Sequence, residues 1–351
     1  MNWYMQRGKD SDVVNSLKIN YSRNLRNYKF NTNSLKDIQE IENLIKTNLP
    51  SIGYGLKFIK LKDIDNLGKR SLYEKGLINE EILENNSNKI SMLINDEENI
   101  CVLINYDNHF EIQVFSSGME LENTFNFAKE IDQKFDETFD IAKSKKYGYL
   151  TVSPINVGTG LKAEAIVHLP GLTKTGNIRK IIQIINNFGL DINGMYVKNQ
   201  EVIGDFYKIS NKQTLGITEE SIINNLRIIL DKIIEQERKA RKLLGTNKIE
   251  LEDMVYRKFG IISNAKIINF AESLEIMSIV KMGTDLGIIK ELNDEKIAKI
   301  YFYLNPANLQ KRVGKNLDVY DQAIKRAEVI KEIINEKWWV RGEKWEIRSG
   351  K

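Results

Sequence analysis

The sequence predicts an α+β protein in two parts, an antiparallel sheet flanked by helices and then an all-α C-terminal domain. Three observations predict it. Short β-rich runs follow one another without the regular intervening helix that a parallel sheet needs. From Thr218 to Trp338 the apolar spacing is almost wholly helical. Between the two textures, the glycine-bearing GTNK at 245–248 is the clearest break. The expected boundaries are therefore 1–245 for the first domain and 249–340 for the helical C-terminal one, the first divided into a small N-terminal helical part (about 1–85) and a sheet part (about 86–245).

The elements follow in order. After a polar N-terminal tail, Ser34 is placed to cap a helix whose Leu35, Ile38, Ile41, Leu44 and Ile45 share one face, with Pro50 closing it. GLKFIKL (55–61) reads as a strand, and 64–85 as short helices. KISMLI (89–94) and NICVLI (99–104), joined by NDEE, read as a hairpin, and HFEIQVF (109–115) as a third strand. An amphipathic helix is expected over about 120–142. YGYLTV (147–152) and AEAIVHL (163–169) read as strands separated by the loop SPINVGTGLK. A helix near 176–188 and strands near 192–197 and 204–209 complete the sheet part. A long helix from Thr218 ends in the charged run EQERKARKLLG, expected to be a solvated face.

The 351 residues suit two domains at roughly 150 each. No apolar run approaches the roughly 20 residues of a membrane helix. Fifty-two Lys plus Arg against 48 Asp plus Glu leave +4, too even a balance to point to nucleic acid. MNWYMQRGKD lacks the apolar core of a signal peptide, so a cytoplasmic address is expected. Two histidines and one cysteine cannot furnish a Cys/His zinc site or thiol–histidine catalysis, and no metal site is expected. Cys101 reads as a buried strand residue, His168 as structural, and Trp338 and Trp339 as cover for an apolar surface or a subunit contact.

TVSPINVGTGLKAEAIVHLPGL (151–172) resembles the pattern TSCPTNVGTGxRASVxLHLPxL of the ATP:guanido phosphotransferases, and DFYKISNKQTLGITEE (205–220) resembles their NxYQISNQxTLGxSE. The run EQERKAR and the stretch LEDMVYRKFGIISNAKIINFAESLEIMSIVKMGTDLGII resemble the linker and C-terminal domain of the bacterial protein-arginine kinases in that family. The resemblance runs from about Val13 to about Ile334. It implies the phosphagen-kinase fold, a C-terminal dimerisation or regulatory domain, and transfer of a phosphoryl group from Mg-ATP to a guanidinium nitrogen, a reaction carried by positioning and charge neutralisation.

The same resemblance implies five arginines on the nucleotide phosphates, and here those positions have changed. The pattern SSRIRLARNL reads SLKINYSRNL, placing Lys18 and Asn20 at two of them and keeping Arg23, Asn24 and Leu25. NEEDHIRIQ reads NYDNHFEIQ, keeping His109 and putting Glu111 at the third; Lys162 stands at the fourth and Asn193 at the fifth. Lys198 replaces a substrate-holding glutamate, Glu122 retains the other, and Ser153 replaces a cysteine. Five arginines would supply +5, whereas these residues sum to +1, beside a ligand of about four negative charges. Three outright losses, at about 1.5 to 3 kcal/mol each, would cost about 5 to 9 kcal/mol. The RDxxRA motif through which such kinases read phosphoarginine has become Gln322, Ala323, Ile324, Lys325, Arg326, Ala327.

The expectation is a catalytically degenerate pseudokinase that acts as a regulator or scaffold in protein quality control or stress response. The alternative is an active ATP-dependent phosphotransferase acting on arginine residues in proteins. No cofactor is assigned beyond Mg-ATP, if nucleotide binding survives. The partners implied are a second copy or a homologous subunit, paired through the C-terminal helices, and a kinase activator, repressor or Clp-type protease component. No nucleic-acid or membrane partner is expected. From the residues alone NVGTG is an ordinary glycine turn and His109 a structural histidine; family position would put His109 in the nucleotide cleft.

Overall fold

The structure is a computed structural model and describes residues 2–84 and 89–336. The strands are β1 (Val14–Arg23), β2 (Lys57–Lys60), β3 (Ser91–Ile94), β4 (Ile100–Ile104), β5 (Phe110–Ser117), β6 (Lys143–Ser144), β7 (Gly148–Tyr149), β8 (Leu161–His168), β9 (Leu190–Gly194), β10 (Val197–Lys198), β11 (Glu201–Val202) and β12 (Phe206–Asn211). Eight of them form one antiparallel sheet in the order β2-β3-β4-β5-β1-β8-β12-β9, while β6–β7 and β10–β11 are small hairpins.

Two expectations are corrected here. Residues 14–23 are not a polar tail but β1, which lies inside the sheet between β5 and β8. Their alternation explains it: Leu17, Ile19 and Tyr21 are buried on one face, while Ser16, Lys18, Asn20 and Ser22 occupy the other. The helical part expected to about residue 85 is therefore not separate, since β1 and β2 both belong to the sheet. YGYLTV is mostly loop, with only Gly148–Tyr149 laddered, against Lys143–Ser144.

The helices are α1 (Leu35–Ile52), α2 (Asn66–Glu74), α3 (Glu80–Glu84), α4 (Leu121–Thr138), α5 (Pro170–Lys174), α6 (Ile178–Asn187), α7 (Glu219–Leu244), α8 (Lys248–Asn264), α9 (Phe270–Asp285), α10 (Asp294–Leu304), α11 (Pro306–Val313) and α12 (Val319–Asn335). Ser34 Oγ accepts from the Asp37 N–H, as capping predicts. Pro50 does not close α1, which runs on to Ile52 before Gly53 takes a positive φ of 81°. One sheet face is apolar and packs against α1, α4 and α7 through Ile41, Ile45, Phe135, Leu226 and Leu230. The other face is polar along β1, β8 and β12. A separate apolar cluster holds α8 to α10 and α12 together.

The charged run ending α7 is only partly a solvated face: Glu235, Arg238, Lys239 and Lys242 are exposed, whereas Glu237 and Arg241 are buried. Glu237 is fully buried and accepts the Gly171 and Leu172 N–H groups at 2.8 and 2.9 Å, closing the N-terminus of α5. Arg241, also buried, donates to Glu237 at 2.7 Å and to Asp285 of α9 at 3.3 Å. Lys281 donates to Asp285 at 2.7 Å. This ionic seam is where the sheet domain meets the helical one. Trp338 and Trp339 lie outside the described residues.

Candidate functional site

Register places all five altered positions on the polar face. Lys18 lies opposite Phe115 of β5 and Glu164 of β8; Asn20 lies opposite Gln113 and Lys162. Ser22 faces Glu111, and Asn193 of β9 faces Lys208 of β12. Because side chains alternate, these residues share one floor that the α1–α4–α7 layer does not cover.

The floor is filled by its own bonds. Asn20 Nδ2 donates to Glu111 Oε2 at 2.8 Å, Ser22 Oγ donates to the same oxygen at 2.8 Å, and Asn108 Nδ2 donates to Oε1 at 2.6 Å. Two positions at which the family pattern has arginine thus bond each other. Burial pushes the Glu111 carboxyl up, and the three donors oppose that shift. Glu164, where the family pattern has serine, sits 3.6 Å from Lys208 Nζ. Burial works against its ionised form, yet Lys18, Lys208 and Lys162 together hold it below the usual carboxylate range. The floor's three lysines therefore surround Glu164.

The retained motif residues hold the fold. Arg23 is fully buried on the opposite face; its Nε and Nη2 meet Asp132 of α4 at 2.8 and 2.7 Å, and its Nη1 donates to the Ser22 and Thr159 carbonyls. Tyr149 lies 3.4 Å from its guanidinium. Gly160 has φ +63°, and a Cβ there would meet Arg23 Nη1 at 2.6 Å. The NVGTG turn wraps a guanidinium.

His109 does not face the floor as a cleft residue. Its Nδ1 accepts from the Leu25 N–H at 3.0 Å, so Nε2 carries the proton donated to the Lys29 carbonyl, and burial pushes its pKa down to about 4. Glu122 is exposed on the first turn of α4, 3.7 Å from Arg227 of α7, on the helix-covered side. Lys198 is exposed in the β10–β11 hairpin, whose Asn199 and Gln200 both take positive φ. Ser153 precedes the turn Pro154–Asn156, beside Val152, whose N–H bonds Asn108.

The residues that align with the RDxxRA pattern are likewise engaged within the fold. Arg326 is buried, donates to the Leu304 and Ile268 carbonyls at 2.8 and 3.1 Å, and is lowered by burial to about 10. Gln322 donates to the Leu317 carbonyl, and the Ala323 carbonyl accepts from Ile268. His168 is buried on Ser278, and Cys101 is buried with its thiol pushed up to about 12. A cavity of ≈ 1080 Å³ lies between the floor, at Lys18, Glu164 and Lys208, and α10, at Tyr301 and Phe302.

Composition alone did not point to Glu164, Lys208, Ser22 or Asn108. Only the alternation of Lys162, Glu164 and Ile166 along β8 could have found Glu164.

Residues 38–240 match the ATP:guanido phosphotransferase C-terminal catalytic domain, and residues 248–341 match the protein-arginine kinase McsB C-terminal domain. The chain is 39% identical over 336 residues to a protein-arginine kinase of Halothermothrix orenii, covering 95% of this chain and 96% of that one. It is 36% identical over 342 residues to that of Bacillus subtilis, covering 95% and 93%. Its fold is similar to that of lombricine kinase (TM-score 0.56, 19% identity, 66% of this chain and 68% of that one) and of the duplicated taurocyamine kinase from Schistosoma mansoni (TM-score 0.58, 22% identity, 65% and 33%).

Proposed function

The chain belongs to the ATP:guanido phosphotransferase family, in its protein-arginine kinase branch, and from that premise we propose that it is a pseudokinase: a cytoplasmic regulator or scaffold in protein quality control or stress response whose cleft no longer transfers phosphate. One observation carries this reading: all five positions that align with the family pattern's phosphate arginines lie on one floor, and that floor sets Glu111 and Glu164 alongside its three lysines.

The residues present do not fit Mg-ATP. Phosphoryl transfer depends on cations gathered around the phosphates and on their planar, paired hydrogen bonds. Here Asn20 spends its amide on Glu111, and the remaining lysines surround Glu164. A triphosphate would have to displace buried carboxylates or sit beside them, and like charge in a low-dielectric cleft is repelled strongly. Glu122 is retained but points to Arg227, and Lys198 brings a cation where the substrate guanidinium would need an anion.

Pairing through the C-terminal helices, with a second copy or a homologous subunit, belongs to the same reading. It is supported by large apolar side chains exposed there, Ile249 at 80% and Tyr256 at 49% on α8. Sedimentation at micromolar concentration should then find a dimer.

The deciding experiment incubates the full chain with labelled ATP, magnesium and an arginine-rich protein. No phosphoarginine above the protein-free control is expected, and ordinary turnover would overturn the reading in favour of an active phosphotransferase. A melting scan at 5 mM Mg-ATP should be flat, because a ligand at 100 times its dissociation constant adds about 2.7 kcal/mol to native-state stability.

A further inference from the structure

We propose that the N-terminal segment Asn2–Arg7 is a built-in strap that ties the helical domain to the sheet and sets the width of the cleft. Within six residues it touches both walls. Trp3 stacks on Phe115 with ring centroids 5.1 Å apart at 15°, and Phe115 is the register partner of Lys18, so the indole lies at the edge of the floor. Tyr4 stacks on Phe302 of α10 at 4.8 Å and 2°. Its hydroxyl donates to Glu98 Oε2 at 2.7 Å, and Asn2 Nδ2 donates to the same oxygen at 3.0 Å. Lys75, following α2, donates to both Glu98 oxygens at 2.7 and 2.8 Å. Arg7 then donates to Asp285 of α9 at 2.7 Å and pairs with Asp294 of α10. The sheet, the end of α2, α9 and α10 thus converge on one short stretch of chain.

The strap also borders the cavity through Trp3, Tyr4 and Arg7, so anything entering from that side meets it. Its seat is not fully satisfied. Trp3 Nε1 and Tyr301 Oη, both at the cavity, are buried without a hydrogen-bond partner among the described residues. A contact that leaves donors unpaired is weaker than the ladder of β5 beneath it, and segments that move are drawn from such low-stability contacts. Stacked aromatic pairs of this geometry add specificity to the burial they provide. Releasing the strap would remove the holds of Tyr4 and Arg7 on α10, leaving it the Phe206–Tyr301 ring contact with the sheet and the Glu74 bonds of α11, with the apolar layer under β1 intact. The inference does not rest on the catalytic reading, since it concerns the relative placement of two walls.

The test is Trp3→Ala/Tyr4→Ala in the full chain, read by hydrogen exchange and small-angle scattering. Exchange at 294–304 should rise at least tenfold and the radius of gyration should increase, with β5, α4 and α7 protected as in the parent because β5 keeps its ladders to β1 and β4. Unchanged exchange at 294–304, or a uniform rise across the whole chain, would overturn the proposal. Phe302→Ala removes the Tyr4 stack from the other side and should reproduce the α10 response; if it leaves α10 as protected as in the parent, the strap is not what holds it.

Discussion

Replacing Arg23 by methionine tests whether the retained RNL motif serves structure. Arg23 makes four hydrogen bonds, two of them a parallel pair to Asp132, whose side chain is 7% exposed. Methionine fills similar space but strands the carboxylate away from water. Breaking a buried pair on one side costs about 3 to 5 kcal/mol, a large part of the 5 to 15 kcal/mol typical of a domain. Removing both charges, as Arg23→Met/Asp132→Leu, leaves no charge stranded, only the Ser22 and Thr159 carbonyls without the Arg23 donor, and should recover at least about 2 kcal/mol of that loss. Arg23→Lys should fall between, because an ammonium cannot span both oxygens and both carbonyls. Urea unfolding followed by circular dichroism, with the slope m compared across variants, gives each value. A cost below about 1 kcal/mol for Arg23→Met, or a double variant no better than the single one, would refute a structural role for the pair.

His109 is neutral in the fold, with its pKa held near 4 against about 6.5 in the unfolded chain, so the unfolded state binds more protons between those values. Stability should fall as pH drops from 6.5 towards 4, by on the order of 3 kcal/mol, and His109→Gln should flatten that slope; equal slopes in urea midpoints would count against it. Cys101 should resist a thiol reagent at pH 8 until denaturant is added, since burial raises its thiol to about 12; labelling of the native protein at the unfolded rate would contradict its placement. Gly158→Ala puts a Cβ 2.3 Å from the Thr214 carbonyl at φ +114° and should destabilise by at least about 2 kcal/mol in the same urea assay. Arginine restored at 18, 20, 111, 162 and 193 together, with Glu164→Ser, should produce an Mg-ATP melting shift that the parent lacks; no shift would mean that the floor is not what excludes nucleotide.

Periodicity located most elements, because burial on one face writes itself into the spacing: α1, α4, α7 and β3 to β5 all fall where the apolar residues recur. β1 carries the same alternation yet reads from sequence as a tail, since its outward residues are the polar floor of the cleft and its flanks are charged. YGYLTV departs for the opposite reason: the ring of its Tyr149 covers Arg23, and its backbone pairs only in a short hairpin outside the main sheet. The charged run on α7 looked solvated because a sequence does not reveal which carboxylate a guanidinium will meet; Asp285, 44 residues on, is the partner of Arg241. The altered floor positions were found one by one through resemblance. Their bonding to each other was not legible, since Asn20 and Glu111 stand 91 residues apart and meet only through the register of β1 with β5.

On the pseudokinase reading, that meeting makes an arginine clamp hard to rebuild. A lone Asn20→Arg would place its guanidinium against the Glu111 carboxylate and form an internal ion pair instead of a phosphate contact. A lone Glu111→Arg would bury a cation among Asn20, Ser22 and Asn108, whose neutral oxygens can accept its hydrogen bonds but cannot neutralise its charge. Neither first step regains a grip on nucleotide, and the second also lowers stability. A mutational route back to a working clamp must therefore cross at least two substitutions before either is rewarded, which gives the present arrangement the character of a ratchet.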